Sequence, residues 1–170
     1  VDFSRFTQLE EIHLEGSENL TTNQINQLPS TLKTLNLRRC NIANIDFSRF
    51  TQLEEINLEY SENLTPNQIN QLPDTLKILY LEECDIADFN FSRFSQLEEI
   101  NLCSTENLNT NQINQLPTTL KILWLYCCNF AGFNFSRFSQ LEEINLSNAE
   151  NLTPDQINHL PNTLKILDLE

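Results

Sequence analysis

The hydrophobic and polar positions of this chain repeat a short pattern from one end to the other. The segment Leu9–Leu14 places apolar residues at Leu9, Ile12 and Leu14, and its second half alternates apolar and polar side chains. Such alternation is the period of a β-strand. The same L-x-x-[LI]-x-L pattern starts eight times, with steps of alternately 23 and 21 residues, at Leu9, Leu32, Leu53, Leu76, Leu97, Leu120, Leu141 and Leu164. The spacing therefore predicts a parallel sheet of about eight strands.

Two kinds of connecting segment alternate between these strands. The longer one has the spacing of a helical capping box, as in Thr21 with Gln24, and ends at a Leu-Pro pair. Equivalent pairs are Thr65 with Gln68, Asn109 with Gln112, and Thr153 with Gln156. The shorter connection contains Phe-Ser-Arg-Phe after an Asp or Asn, which predicts a capped 3₁₀ turn with two phenylalanines in the core.

The two halves combine into a 44-residue unit that occurs nearly four times, so residues 1–170 are predicted to form a single solenoid without evident terminal caps. The pattern resembles the leucine-rich repeat, L-x-x-L-x-L-x-x-[NC]-x-L. The short half matches it with Leu32, Leu35, Leu37, Cys40 and Ile42. The alternating lengths and the recurring cysteine are similar to the ribonuclease-inhibitor and cysteine-containing subclasses, although these repeats are shorter.

The resemblance implies an α/β leucine-rich-repeat solenoid. Its parallel strands would line the concave face of a right-handed arc, and its short helices and 3₁₀ turns would lie on the convex face. The resemblance is strong for the fold and weak for the function, because unrelated functions occur on one fold.

Charge excludes several classes of partner. The chain has 24 acidic and 10 basic residues, a formal net charge of -14. Such a polyanion repels nucleic-acid phosphates and anionic membranes, so we expect neither partner. The sequence contains no phosphate-binding loop, zinc-protease motif or nucleophile with a nearby base, so we expect no enzymatic activity and no cofactor.

The cysteines are interpreted as free thiols. Cys40, Cys84 and Cys128 share one position of the short half and are expected to be buried, about 10 Å apart and too distant for disulfides. Cys103 and Cys127 depart from the repeat and are expected near the concave face or its edge. Five cysteines without a pairing scheme predict a reducing compartment, the cytoplasm or the host cytosol of a bacterial effector, and no metal site.

Differences between the copies concentrate on the outward positions of the strands. The central outward position of the short halves is Asn36, Tyr80, Trp124 and Asp168, whereas Glu11, Glu55, Glu99 and Glu143 form a constant acidic row interpreted as scaffold. Large amphipathic aromatics are typical of binding hot spots. The sequence therefore predicts a protein-binding concave face that favours a basic partner. Its predicted contacts are Tyr80, Glu82, Asn101, Trp124 and Tyr126, flanked by Asn57, Tyr60 and Cys103.

Two further interpretations remain open at this point. The chain could be an engineered or excised repeat scaffold whose uncapped ends drive homo-oligomerisation, because open solenoid ends expose apolar core and sheet edge. It could also be the recognition part of a larger effector or ubiquitin ligase, since leucine-rich repeats of those proteins look similar. Nothing within the sequence indicates the catalytic part that this last interpretation requires.

Overall fold

The computed structural model describes residues 1–17, 19–87, 89–105, 107–129 and 133–170. Within these ranges eight three-residue strands form one sheet, parallel throughout and in chain order. The strands are β1 (Glu11–His13), β2 (Thr34–Asn36), β3 (Glu55–Asn57), β4 (Ile78–Tyr80), β5 (Glu99–Asn101), β6 (Ile122–Trp124), β7 (Glu143–Asn145) and β8 (Ile166–Asp168). The predicted fold is confirmed. Each strand has three residues, whereas the sequence pattern that predicts it has six.

The long connections contain the helices α1 (Thr22–Ile25), α2 (Pro66–Ile69), α3 (Thr110–Gln115) and α4 (Pro154–Asn158). All four predicted capping boxes are present. The glutamine also performs a second task that the spacing did not predict. In α2, Gln68 Oε1 accepts from the Thr65 backbone N–H at 3.1 Å, while its Nε2 donates to Ile42 O at 2.8 Å and Ile45 O at 3.2 Å. The amide therefore ties each helix to the preceding turn.

The short connections contain 3₁₀ turns at Phe47–Arg49, Phe91–Arg93 and Phe135–Arg137. The predicted caps Asp46, Asn90 and Asn134 each accept the backbone N–H two residues later. In the first copy Asp2 makes the same bond, at 3.0 Å to the Ser4 N–H, but the segment forms a turn without a 3₁₀ helix.

The core is a continuous column of side chains between the sheet and the turns. The phenylalanines of the second, third and fourth copies are fully buried, as predicted. Phe6 in the first copy is 43% exposed, and Leu167 in β8 is 44% exposed. The predicted self-association through these ends stays a prediction.

A row of ion pairs links neighbouring strands at their N-terminal ends. Lys77 Nζ lies 2.7 Å from Glu54 Oε2, and the same pair recurs in the other units as Lys33–Glu10, Lys121–Glu98 and Lys165–Glu142. The hydrogen bond from Lys77 lowers the pKa of Glu54. These glutamates are therefore already neutralised within the chain.

The cysteines of the short halves are buried thiols, and all five cysteines are free. Cys84 Sγ donates to Leu58 O at 3.1 Å, and Cys40 and Cys128 bond the equivalent carbonyls. Burial raises the pKa of Cys84, Cys103 and Cys128 to about 12. Cys127 is exposed.

Iodoacetamide is therefore expected to alkylate Cys127 rapidly in the native protein at about pH 8. The buried thiols Cys84 and Cys128 should react at least about tenfold more slowly, because burial shields them from the reagent and raises their pKa to about 12. Mass spectrometry of peptides from timed reactions measures this difference, with the denatured chain as the control in which all five react. Rapid native labelling of Cys84 would contradict its burial.

Candidate functional site

The strands present three rows of side chains on the concave face. The first row comprises Glu11, Thr34, Glu55, Ile78, Glu99, Ile122, Glu143 and Ile166. The central row comprises His13, Asn36, Asn57, Tyr80, Asn101, Trp124, Asn145 and Asp168. The third row lies two residues further along and comprises Glu15, Arg38, Glu59, Glu82, Cys103, Tyr126, Ser147 and Glu170.

The asparagines of the central row cap the backbone at the ends of the strands. The side chain Oδ1 of Asn57 accepts the N–H of Glu59 at 2.9 Å, and Asn101 does the same for Cys103. Asn36, Asn145 and Asp168 make the equivalent bond. The recurrence of asparagine in this row thus has a structural cause, because a backbone donor without a partner is costly.

Tyr80 and Trp124 replace this cap in the two middle short halves. Tryptophan has no acceptor for the backbone N–H, and the Tyr80 hydroxyl bonds elsewhere. The two rings lie on either side of β5 and stack on each other, with centroids 6.2 Å apart and planes 11° apart. Two aromatic side chains from strands that are not adjacent therefore stack on each other.

Carboxylates of the first row hold both rings. The Tyr80 hydroxyl donates to Glu99 Oε1 at 2.5 Å, and Trp124 Nε1 donates to Glu143 Oε1 at 2.8 Å. Burial and then the bond to Glu99 raise the pKa of Tyr80, so it remains a neutral donor. The regular acidic row thus positions the aromatic residues, a role that its spacing alone did not indicate.

The chain itself forms a guanidinium site on the third row. Arg38 on the third row has Nη1 2.8 Å from Glu15 Oε1 and Nε 3.1 Å from Glu59 Oε2. Its guanidinium carbon lies 5.1 Å from the centroid of the Tyr60 ring. Two carboxylates from the strands on either side, with an aromatic ring alongside, therefore hold one arginine.

A network of neutral donors continues from Glu59 to Glu82. Asn101 Nδ2 lies 2.6 Å from Glu59 Oε1 and 3.2 Å from Glu82 Oε2, and the Tyr60 hydroxyl bonds the other oxygen of Glu82. That bond raises the pKa of Tyr60 to about 12. Asn101 is only 4% exposed and Cys103 only 8% exposed. Both predicted contact residues therefore lie beneath the surface formed by their neighbours.

Tyr126 is the aromatic residue that reaches furthest into solvent from this part of the face, at 38% exposed. The residue after each third-row position has a left-handed backbone in seven copies, and six of these are not glycine: Arg39, Tyr60, Glu83, Ser104, Cys127 and Asn148. This turn directs Tyr60 toward the next strand, where it bonds Glu82. The loop residue that follows each third-row position is therefore continuous with the surface of the third row.

The charges of the face are distributed unevenly. In the described part of the chain, Glu55, Glu82, Glu99 and Glu143 form no ion pair, unlike the glutamates paired with lysine at the strand ends. Burial, and then the charges of Glu99 and Glu11, raise the pKa of Glu55. The middle of the concave face therefore carries negative charge that the chain does not neutralise.

Among the residues described, no group of three or more metal-ligating side chains converges. His13 lies at the first strand, 2.7 Å from Glu11, and His159 lies on the opposite side of the sheet after α4. Across the same residues the structure has no helix of the length and apolarity needed to cross a bilayer.

No family model and no curated protein match this sequence. The solved structures similar to it include an internalin, InlF, from Listeria monocytogenes, with 17% identity, a TM-score of 0.69, and coverage of 99% of this chain and 56% of that one. Human 5T4, the trophoblast glycoprotein, has 18% identity and a TM-score of 0.54, covering 82% and 60%. LegL7 from Legionella pneumophila, a leucine-rich repeat-containing protein, has 13% identity and a TM-score of 0.51, covering 94% and 64%.

This chain thus spans less than two thirds of the length of each of these three solved chains. At such low identity the likeness concerns the backbone architecture and not the side chains of the concave face. Together with the eight-stranded parallel sheet, it establishes that the chain folds as a leucine-rich-repeat solenoid.

Proposed function

We propose that this solenoid is a non-enzymatic module that binds a protein with a basic surface on the middle of its concave face. The observation that carries the proposal is the Tyr80–Trp124 stack. At this row every strand from β2 onward other than β4 and β6 uses Asn or Asp to cap the backbone, and the two middle short halves have two large rings in place of that cap. A position that loses a stabilising bond and gains an exposed aromatic surface is typical of selection for binding.

The structure divides the predicted residues into two groups. Tyr80, Trp124, Tyr126 and Glu82 retain accessible surface, since each is half-buried or exposed. Asn101, Asn57 and Cys103 support that surface from below or beside it, and Tyr60 orients Glu82. We therefore expect the first group to dominate the binding energy and the second to act through them.

Several features support a binding role over a catalytic one. The Cys103 thiol is buried with its pKa raised to about 12, so it is a poor nucleophile. The carboxylates around the stack accept hydrogen bonds from tyrosine, tryptophan and asparagine, an arrangement that fixes the side chains of a surface. Free thiols throughout the chain fit a reducing compartment.

The double substitution Tyr80→Asn with Trp124→Asn tests the proposed site. Both positions then carry the residue found at Asn36, Asn57, Asn101 and Asn145, so the fold is expected to persist. Peptides enriched from a random phage library on the native protein should bind the variant at least about tenfold more weakly, because each hot-spot truncation costs about 1–2 kcal/mol or more. Fluorescence anisotropy of the labelled peptides measures the affinities.

Asn67→Ala, on the exposed face of α2, is the matched control and should leave the affinities unchanged. Equal affinity of the enriched peptides for the native protein and the double variant would show that the binding surface lies elsewhere.

A further inference from the structure

The internal site of Arg38 provides a template for what a partner would contribute. Arg38 projects from β2 between Glu15 and Glu59, which follow the strands on either side, and its guanidinium packs against the Tyr60 ring. Carboxylates two strands apart are about 10 Å from each other at the backbone, and one arginine side chain contacts both. Carboxylates two strands apart can therefore contact the same guanidinium group.

The same elements recur twice on the first row, without a cation. Glu55 and Glu99 flank Ile78, beside the ring of Tyr80, and Glu99 and Glu143 flank Ile122, beside the ring of Trp124. In each case an apolar residue stands between the acids, where Arg38 stands between Glu15 and Glu59. Each arrangement therefore has two carboxylates, an aromatic ring and an apolar side chain between the two acids.

The acids retain capacity to bind a cation. Glu99 and Glu143 each use Oε1 to accept from a ring donor, and in the part of the chain that the structure describes their Oε2 atoms bond no other side chain. The ring donors also hold the carboxylates in place before a ligand arrives. Half-buried carboxylates without a counter-ion are costly, and an incoming cation would relieve that cost.

We propose that these are two successive guanidinium subsites, and that the partner supplies a segment in the polyproline II conformation with the pattern Arg-x-x-Arg. The subsites lie two strands apart, about 10 Å. A polyproline II segment has three residues per turn and rises about 3.1 Å per residue, so arginines three positions apart face the sheet together at about this spacing. The segment crosses the strands along the arc, with one arginine over Ile78 and the other over Ile122. This inference rests on the proposed function and specifies its partner.

Arginine suits these subsites better than lysine. Its planar guanidinium stacks on Tyr80 or Trp124 while it lies within ion-pair distance of carboxylates on two sides, as that of Arg38 does. A lysine ammonium is compact and more strongly hydrated, so it cannot contact both acids and a ring face together. The subsites should therefore discriminate between two residues of equal charge.

Three labelled synthetic peptides of equal length and charge test the proposal: one with Arg-Ala-Ala-Arg, one with Arg-Ala-Arg-Ala and one with Lys-Ala-Ala-Lys. We expect the first to bind at least about fivefold more tightly than either of the others, since charge-assisted pairs depend on geometry. Fluorescence of Trp124, the only tryptophan of the chain, reports occupancy of the second subsite directly.

Glu99→Gln removes the acid that both subsites share while keeping an acceptor for Tyr80, and it should weaken the Arg-Ala-Ala-Arg peptide about tenfold. Glu54→Gln changes the net charge equally at a glutamate paired with Lys77, and it should have little effect. Equal binding of the three peptides, or equal loss in both variants, would overturn the inference in favour of non-specific attraction. If these peptides fail to bind while library peptides still depend on Tyr80 and Trp124, the subsites are wrong and the proposed function stands.

Discussion

Replacing Phe94 by alanine is expected to lower the free energy of unfolding by about 3–5 kcal/mol, the usual cost of removing a fully buried phenylalanine. Phe94 is 0% exposed and packs against Phe89 at 5.7 Å between ring centroids. Because a solenoid is stabilised by contacts between adjacent repeats, a cavity in the middle of the chain should also uncouple its two halves. Urea unfolding monitored by circular dichroism measures both effects, as a lower midpoint and a broader transition.

Phe6→Ala is the matched control, because Phe6 occupies the same position of the Phe-Ser-Arg-Phe motif in the first unit but is 43% exposed. We expect a loss of about 1 kcal/mol there, in proportion to the smaller buried area. Equal losses of stability at the two positions would contradict the assignment, in which this phenylalanine is more deeply buried in the middle of the chain than in the first unit.

Replacing Gln68 by glutamate is expected to cost about 3 kcal/mol or more, although the side chains have nearly the same shape. Gln68 is 5% exposed, and its Nε2 donates to the carbonyls of Ile42 and Ile45. A carboxylate would lose both donors and place a buried negative charge against two carbonyl oxygens. Thermal and urea unfolding of the variant at about pH 7 measure this loss, since the new carboxyl is ionised at that pH in the unfolded chain.

The pH dependence of this variant has a definite sign. Burial and the facing carbonyls raise the pKa of the new carboxyl in the folded state above its unfolded value of about 4.3. Ionisation therefore destabilises the folded state, and the loss should shrink as the pH falls from about 7 toward about 4.5. Gln24→Glu in the first unit is the control with a smaller expected effect, because Gln24 is half-buried and its Nε2 makes one contact, to Val1 O at 2.8 Å. A loss independent of pH would exclude the buried charge as its cause.

Repetition explains why so much of the fold was predictable. Each strand has its own copy of Leu-x-x-[LI]-x-L, and each helix has its own capping pair, so eight independent signals agree on one architecture. The strands themselves are only three residues long, and neither they nor the helices of four to six residues would be stable alone. Local propensity therefore identified the elements, and stacking between units stabilises them.

The candidate site was predictable only in outline. The differences between copies pointed to Tyr80 and Trp124 because the central outward position of the short halves changes from copy to copy. The burial of Asn101 and Cys103 is determined by side chains on neighbouring strands. Alternation along one strand does not reveal this burial, so the sequence did not distinguish these two residues from the accessible ones. The contacts of Arg38 with Glu15, Glu59 and Tyr60 require side chains from three consecutive strands to converge, which no single segment of the sequence indicates.

The sequence by itself determined the number and order of the strands, the caps of the helices, the residues of the core and the row where the copies diverge. These properties follow from the spacing of side chains along one chain segment, and each segment repeats the same information. Only the tertiary structure decided which glutamates are paired and which are not, that glutamine links one unit to the preceding one, and that two rings stack across an asparagine. Those outcomes depend on contacts between residues about 20 or more positions apart, where stacking of the units at about 4.8 Å per strand fixes distances that no local pattern contains.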